Sequence, residues 1–479
     1  MNFDAIVIGG GPAGTSAATL LKKNGLRTLL LEKEVSTPYK VGESLLPSAL
    51  AFFDILGVRE KVESHGFTKK NGAFLRWGRD PEPWSINFGE LSGNETYSYQ
   101  VVRSEFDELL LSHAESVGVE VIRGAMVNDV SFSDKGIKAI TYVQSGREYS
   151  VEVNYLIDAT GQRGLLSNRY LNSRVQNESF QNIAIWSYWE EYEPLPGDAS
   201  GNIITAAFRD GWIWGIPLHD GRLSVGVVQH KDLFMEKRTR SSIEEIYETA
   251  ISCCKVVSSR LVNARQCDRI RTAKDYSYKS NVLARDNYFL AGDAACFLDP
   301  VLSSGVHLAM LSGTLAACSI TGILNNVVSA KEAIDFYSST YSSAYLRFMH
   351  FLSAFYNQND DQNSYFWKAQ SIASSDSINQ DLKSAFLNLV TGVKDLDEVE
   401  LHSRINKFMK NKVNENLNWR KQKKSLKNFS NALERKRLKE NEDIFNLIEG
   451  FDPSKIKDER LGISMKFLDG KLSLFKGFA

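Results

Sequence analysis

Apolar and polar positions divide the chain into three regimes. At the start, residues 4 to 8 form a short apolar run ending at Gly9, Thr15 to Lys23 have the three-to-four-residue period of a helix, and Thr28 to Leu31 are apolar again. Strand, glycine turn, helix and strand in that order predict a βαβ unit and a parallel sheet. In the middle, Val119 to Ile122, Ile137 to Val143, Ile203 to Phe208 and Leu223 to Val228 alternate with a period of two. They are predicted as strands of one antiparallel sheet, with Trp212 to Pro217 among them. From about Ala333 the period lengthens again. Tyr337, Tyr341, Tyr345 and Phe348, then Phe351, Phe355 and Tyr356, recur as on the buried face of a helix. That face packs on the sheet domain or covers a site. The expected fold class is α/β with an antiparallel sheet and a helical C-terminal region over 356–479, without internal repeats.

Composition changes this picture little. A length of 479 residues with 43% hydrophobic and 11% aromatic side chains allows about three domains, or one large domain with insertions. A net charge of -1 gives no global field to recruit nucleic acid or a membrane. The first strand begins at once, leaving no room for a signal peptide, and no apolar run approaches the ~20 residues that span a bilayer. Five cysteines (Cys253, Cys254, Cys267, Cys296, Cys318) are odd in number and lack metal spacing. They fit a reduced, cytoplasmic setting, and no metal site is expected. Charge is concentrated in one place: residues 401 to 440 carry thirteen Lys and Arg against three Glu. Such a run is a solvated helix face or a docking surface for an acidic carrier protein. Nucleic acid is disfavoured, because no aromatic interleaving accompanies the charge.

The glycine turn carries chemistry. Gly9-Gly10-Gly11-Pro12-Ala13-Gly14 is GxGxxG between strand and helix, where Gly9 allows the turn, Gly11 lets a pyrophosphate approach and Gly14 lets helix and strand pack. Glu32, at the end of the next strand, suits ribose hydroxyls and repels a 2'-phosphate. Further on, an apolar strand ends in Gly292-Asp293, whose acid can hold ribose or ribityl hydroxyls or cap a helix. The stretch Ser303-Ser304-Gly305 enters a helix whose amides favour an anion. Trp212 and Trp214 alternate on a strand, so both indoles share one face and form either a rigid wall beside a ring cofactor or plain core. Trp186, Tyr188 and Trp189 line the same cavity or fill the sheet core.

These residues resemble the FAD-dependent monooxygenase superfamily, with its glutathione-reductase-like FAD-binding fold: GxGxxG with Glu32, Arg103 in Val-Val-Arg-Ser-Glu-Phe-Asp, Asp158-Ala159-Thr160-Gly161, and Gly292-Asp293. Within it the chain looks like a flavin-dependent halogenase. Trp-x-Trp-x-Ile-Pro is matched by Trp212, Trp214, Ile216 and Pro217, and Phe-x-x-Pro-x-x-Ser-x-Gly by Phe297, Pro300, Ser303 and Gly305. Gly66 to Ala73 is similar to the family's GFxxKxGA segment, which makes Lys70, and not Lys69, the lysine of the reaction. The resemblance covers about residues 1 to 355. It implies a discontinuous FAD-binding part over about 1–80, 100–165 and 275–330, and a substrate sheet over about 80–100 and 165–275.

The resemblance also implies an enzyme that uses FADH2, O2 and chloride or bromide. Gly9, Gly11, Ala13, Gly14, Glu32, Arg103, Gly292, Asp293, Pro300, Gly305 and Val306 would hold FAD, while Ser304 and Gly305 would hold the halide. Lys70, Trp212, Trp214 and Ser303 would be catalytic: hypohalous acid passes to Lys70, and the indoles keep flavin and substrate apart. A separate NAD(P)H-dependent flavin reductase would supply FADH2. Leu302 stands where tryptophan-type enzymes have a glutamate, which favours a phenolic or pyrrolic ring, free or carrier-bound, over indole. The alternatives are an aromatic hydroxylase, a flavin reductase acting on lipid double bonds, and a flavin-binding or basic nucleic-acid-binding protein without turnover.

Overall fold

A computed structural model of the chain describes residues 3–77, 84–89, 96–356, 453, 456–458, 460–468 and 471–477. The basic run over 401–440, the expected carrier-docking candidate, lies outside the described residues, as do the side chains of Phe351 and Phe355. Ala5–Ile8 forms the middle of a six-stranded sheet in the order Ala284–Arg285, Tyr288–Leu290, Leu156–Asp158, Ala5–Ile8, Thr28–Glu32, Glu120–Arg123. All its pairings are parallel except that of the edge strand Ala284–Arg285. Its central strands are buried along their length, as a parallel sheet covered on both faces requires. The helix Pro12–Lys23 starts with Pro12 in its first turn, where a missing N–H costs nothing.

Two strands join sheets other than the one expected. Val119 to Ile122 was expected in the antiparallel sheet, but Glu120–Arg123 pairs in parallel with Thr28–Glu32 and extends the six-stranded sheet. Ile137 to Val143 belongs to a separate antiparallel trio of Met126–Ser133, Gly136–Gln144 and Arg147–Glu152. A period of two reports that a strand has two unlike faces. It does not name its partners.

The sheet that answers to the expected substrate sheet has nine strands and starts earlier than expected, with Gly72–Arg76, and ends later, with Cys296–Phe297. Its centre is the run Arg174–Glu190, Leu223–His230, Gly211–Pro217, Ile203–Phe208. This sheet divides two hydrophobic cores. Ile185, Ile213, Val225 and Val227 face a smaller core closed by Phe234, Ile246 and Tyr247 from the helices Lys231–Arg238 and Ile243–Ser252. Trp186, Tyr188, Trp212 and Trp214 face the large core shared with the six-stranded sheet. Trp189, one position out of phase, belongs to the other side, where its indole N–H donates to Tyr247 (3.0 Å). Trp214 sits directly opposite Gly226. A Cβ at Gly226 would lie 2.0 Å from the indole, so the largest side chain here occupies space that only the smallest leaves free.

The helix Gly305–Leu324 corrects a sequence expectation: it has the length and hydropathy (1.5) of a membrane span, yet 94% of that window is buried inside the fold. It packs on the Pro12–Lys23 helix, where a Cβ at Gly313 would meet Ala13 O at 2.2 Å. Ala330–Tyr356 is the helix expected from its aromatic period, and Tyr337, Tyr341, Tyr345, Phe348 and Tyr356 are all buried. Part of the region expected to be helical is not. Lys457–Asp458, Ile463–Leu468 and Lys471–Lys476 form an antiparallel sheet that rests on Gly305–Leu324 and reaches Asn24 through Leu472 O (3.0 Å).

Two substitutions test this packing. At Gly14 a Cβ would lie 1.9 Å from Gly9 O, so Gly14→Ala should lower the thermal midpoint by an amount matching about 1–3 kcal/mol and weaken flavin retention. Gly226→Ala should shift the tryptophan fluorescence by displacing Trp214 while leaving flavin affinity within about threefold, because Gly226 is not among the cleft-lining residues. Unchanged fluorescence would mean that the Trp214 ring does not lie against this strand.

Candidate active site

A cleft of about 510 Å³ runs between the two large sheets. Gly9, Gly10, Gly11, Pro12 and Ala13 line it with Glu32, as do Gly292, Asp293, Pro300, Ser303, Gly305 and Val306, and Trp212, Trp214 and Ile216 from the nine-stranded sheet. Local chemistry builds the glycine loop. Gly9 has φ +108°, and a Cβ there would meet Ala159 O at 2.3 Å; at Gly11 a Cβ would meet nothing nearer than Lys40 Nζ at 3.6 Å, so the backbone there stays open to a phosphate. Gly14 lies behind the cleft wall and serves packing. Glu32 accepts from the Gly10 amide (2.5 Å) and the Glu34 amide (2.9 Å), which holds its carboxylate at the strand end beside the cleft. These residues fit a dinucleotide with a free 2'-hydroxyl.

Arg103 lines the cleft as well. Its guanidinium is engaged with Asp107 (2.9 and 3.0 Å) and with the carbonyls of Val41 (3.1 Å) and Gly42 (3.2 Å). It therefore clamps the loop over residues 38–43, which forms one lip of the cleft. Lys40 shares Asp107 at 3.2 Å, so two cations border the cleft on one buried acid. Asp158 is likewise structural: its carboxyl accepts from Thr160 and Leu166 amides and shapes the turn Thr160-Gly161 that lines the cleft.

Burial pushes the Asp293 carboxyl up to about 6, opposed by Arg103, Lys40 and Arg174. Pro300–Leu302 forms one 3-10 turn, Ser303 takes a left-handed conformation (φ +56°), and Gly305–Leu324 begins. The first bond into that helix runs from Leu308 N to Ser304 O (3.0 Å), which leaves the amides of Gly305 and Val306 at its open N-terminus. Ser304 Oγ is buried without a hydrogen-bond partner, and no atom lies within 4 Å of where a Gly305 Cβ would stand. A 20-residue helix with free amides and an orphaned hydroxyl at its N-terminus suits a small anion.

The indoles are fixed by their N–H groups. Trp212 donates to Tyr356 (2.8 Å), and Tyr356 donates to Asp299 Oδ2 (2.8 Å), which also takes the Asn182 amide (2.8 Å). Trp214 donates to Ser224 Oγ (3.2 Å), and the two rings stand 5.8 Å apart at 49°. Trp186 adds a third indole, 6.5 Å from Trp214.

Lys70 is buried, while Lys69 is exposed with its Nζ over the Tyr97 ring (4.2 Å). The parity of the two-stranded ribbon sets this difference: Thr68–Lys70 pairs with Ser98–Gln100, so alternate residues face in and out. Lys70 Nζ donates to Ser44 Oγ (2.8 Å) and Leu45 O (3.0 Å), and burial pulls its pKa down to about 7. Ser44 lines the cleft, so one hydroxyl separates cleft and lysine. On the strand paired with Lys70, Ser98 Oγ and Gln100 Oε1 are buried without a hydrogen-bond partner.

Three side chains at this site escaped the sequence reading. Glu43 lines the cleft, takes the Tyr188 O–H (2.5 Å), and is pushed by burial up to about 7 against the pull of Tyr188, Ser224, Arg222 and Arg103. Its signal was an acid following Gly42 in an otherwise apolar stretch. Asp299 carried the Asp-Pro signature of a turn start, and its Oδ1 caps Val301 N (3.0 Å). Tyr356, the last described residue of the aromatic helix, had no local signal for contact with Trp212.

Comparison with known proteins agrees with this geometry. The profile of the family described as Tryptophan halogenase matches residues 4–96 and 91–394. The tryptophan 2-halogenase of Chondromyces crocatus is 39% identical over 410 residues, covering 84% of this chain and 78% of that protein. The sulochrin halogenase gedL of Aspergillus terreus is 34% identical over 385 residues, 75% of this chain and 70% of that one. Among solved structures, the myxobacterial chondrochloren halogenase CndH superposes with a TM-score of 0.73 at 36% identity, covering 84% of this chain and 92% of that chain. The flavin-dependent halogenase CmlS does so with a TM-score of 0.74 at 33% identity, covering 86% and 77%. The chain belongs to the tryptophan halogenase family of flavin-dependent halogenases, and is an oxidoreductase that works with FAD and a halide.

Proposed function

We propose that the chain halogenates an electron-rich phenolic or pyrrolic ring with hypohalous acid delivered through Lys70. The observation that carries this reading is the lysine itself, a buried ammonium with no ion-pair partner among the described residues, one hydroxyl away from the cleft. Burying such a group costs several kcal/mol, so its place is explained by chemistry better than by stability. FAD bound in its reduced form would supply two electrons and two protons, with which O2, a halide and one further proton give hypohalous acid and water.

The chain's own groups account for the rest. Gly305 and Val306 amides, with Ser304 Oγ, hold chloride or bromide at the helix start, and Ser303 sets that turn. Glu43, titrating near neutrality at the cleft wall, can hold and give up a proton. Trp212 and Trp214 keep the aromatic substrate off the flavin, so oxygen is not transferred to it directly. Lys70 hydrogen-bonds the hypohalous acid, or its neutral amine takes the halogen and passes it on, and a pKa near 7 keeps a share of that amine present. Substitution on the ring releases water.

Leu302, buried beside Ser303, supplies no second polar group, so the ring must already be activated. The orphaned oxygens of Ser98 and Gln100 near Lys70 suit a substrate with an O–H or N–H donor. A separate NAD(P)H-dependent reductase provides FADH2, and the substrate is free or carried on an acidic carrier protein.

Incubation of the full chain with FAD, a flavin reductase, NADH, O2, chloride or bromide, and a panel of phenols and pyrroles should yield halogen isotope patterns by mass spectrometry. Lys70→Ala should lower product at least ~100-fold with flavin binding unchanged. Products heavier by one oxygen would replace this reading with hydroxylation, and halogenation of indole alone would overturn the substrate class. A second measurement addresses the lysine's burial. Its folded pKa, near 7, lies below the unfolded value of 10.5, so the unfolded chain binds more protons between these limits and stability rises with pH across them. The slope is at most about 1.4 kcal/mol per pH unit. Lys70→Met should flatten the rise in thermal midpoint between pH 7 and 9, roughly the lower half of that window, and an unchanged slope would place the lysine in solvent.

A further inference from the structure

Away from the cleft, three residues from separate elements converge. His65 ends the helix Arg59–His65, Glu105 lies in the first turn of Arg103–Val117, and His219 follows Pro217 in the turn after the tryptophan strand. Both imidazoles direct Nε2 at one oxygen, Glu105 Oε2, at 2.7 Å from His65 and 3.1 Å from His219. The three ligand atoms all lie within 4.8 Å of one another. Phe67 fixes the rings, stacked on His65 at 4.2 Å and edge-on to His219 at 5.2 Å, with the imidazoles 5.5 Å apart.

We propose that His65, Glu105 and His219 form a divalent-cation site of the zinc class. Metal–ligand bonds of about 2.0–2.2 Å place neighbouring ligand atoms of a tetrahedral site roughly 3.3 Å apart. The contacts at 2.7 and 3.1 Å need to open by well under an ångström. Two imidazoles and one carboxylate match zinc, whereas magnesium and calcium demand oxygen ligands. Side-chain exposures of 31%, 41% and 19% leave an entry path and room for water as the fourth ligand. Both charged ends of the helices agree with this placement, with an imidazole at a C-terminus and a carboxylate at an N-terminus. The sequence hides the site because its ligands lie far apart along the chain.

Such an ion would act as a clip. Phe67 leads directly into Thr68–Lys70, Glu105 is two residues beyond Arg103, and His219 is two beyond Pro217. The cation would tie the lysine ribbon, the arginine that clamps the cleft loop and the tryptophan strand at one point. Chelator-treated full-length protein titrated with Zn2+ should bind one ion with micromolar or tighter Kd, and Co2+ should give the visible bands of a four-coordinate site. Zinc a hundredfold above Kd should raise the thermal midpoint by roughly 3–5 °C. His219→Ala should abolish this response, and Glu105→Gln, nearly isosteric and so insulated from misfolding, should weaken binding at least ~10-fold. The proposal is overturned by no saturable zinc binding up to 100-micromolar order, by equal binding in wild type and both variants, or by a preference for Mg2+ or Ca2+.

Discussion

One buried carboxyl group organises the catalytic half of the molecule. Asp299 accepts from Val301 N through one oxygen, and from Asn182 Nδ2 and the Tyr356 hydroxyl through the other. A carboxyl group that is 1% exposed is costly unless its lone pairs are satisfied. Each donor that satisfies it comes from a different part of the chain: the turn before the long buried helix, the longest strand of the nine-stranded sheet, and the end of the aromatic helix. Through Tyr356 the order passes to Trp212. The same acid that shapes the turn before Gly305–Leu324 therefore also orients the indole wall.

Around this node the protein tolerates two titratable groups that a purely stable fold would avoid. Lys70 and Glu43 are both buried, and burial moves them toward each other, one down and the other up, to about 7. Two groups with opposite ordinary charges thus become proton donors and acceptors of similar strength, the glutamate at the cleft wall and the lysine one hydroxyl behind it. Ser44 and Leu45 hold the lysine and Tyr188 holds one oxygen of the glutamate, whose Oε2 is buried without a hydrogen-bond partner.

What was legible in the sequence was whatever local geometry dictates. The roles of Gly9, Gly11 and Gly14 follow from a turn that tolerates no Cβ at two of these positions and needs open backbone at the third. The family motif singled out Lys70 over Lys69, and ribbon parity is the reason that Lys70 is the buried one of the two. Long-range pairing was not legible. Glu120–Arg123 and Gly136–Gln144 have the right strand character and the wrong assigned sheet, because alternation is blind to partners. The helix Gly305–Leu324 is as apolar as a membrane span because it is covered by protein on all sides, a fact that hydropathy cannot express. The C-terminal strands did carry a signal, alternating residues on either side of Asp469-Gly470, a dipeptide that favours hairpin turns. The basic run before them drew the reading toward helix.

Those last strands bear on how the protein is made. Leu472 bonds Asn24 across a separation of 448 positions and Cys318 across 154, and its neighbours Met465 and Leu474 complete the core shared with the first helix. During synthesis the glycine-rich loop emerges some hundreds of residues before the strands that seal the reverse side of its helix. Until then an apolar face of Gly305–Leu324 stands uncovered. The high contact order of this closure makes the nascent chain slow to mature and dependent on protection from aggregation during that interval.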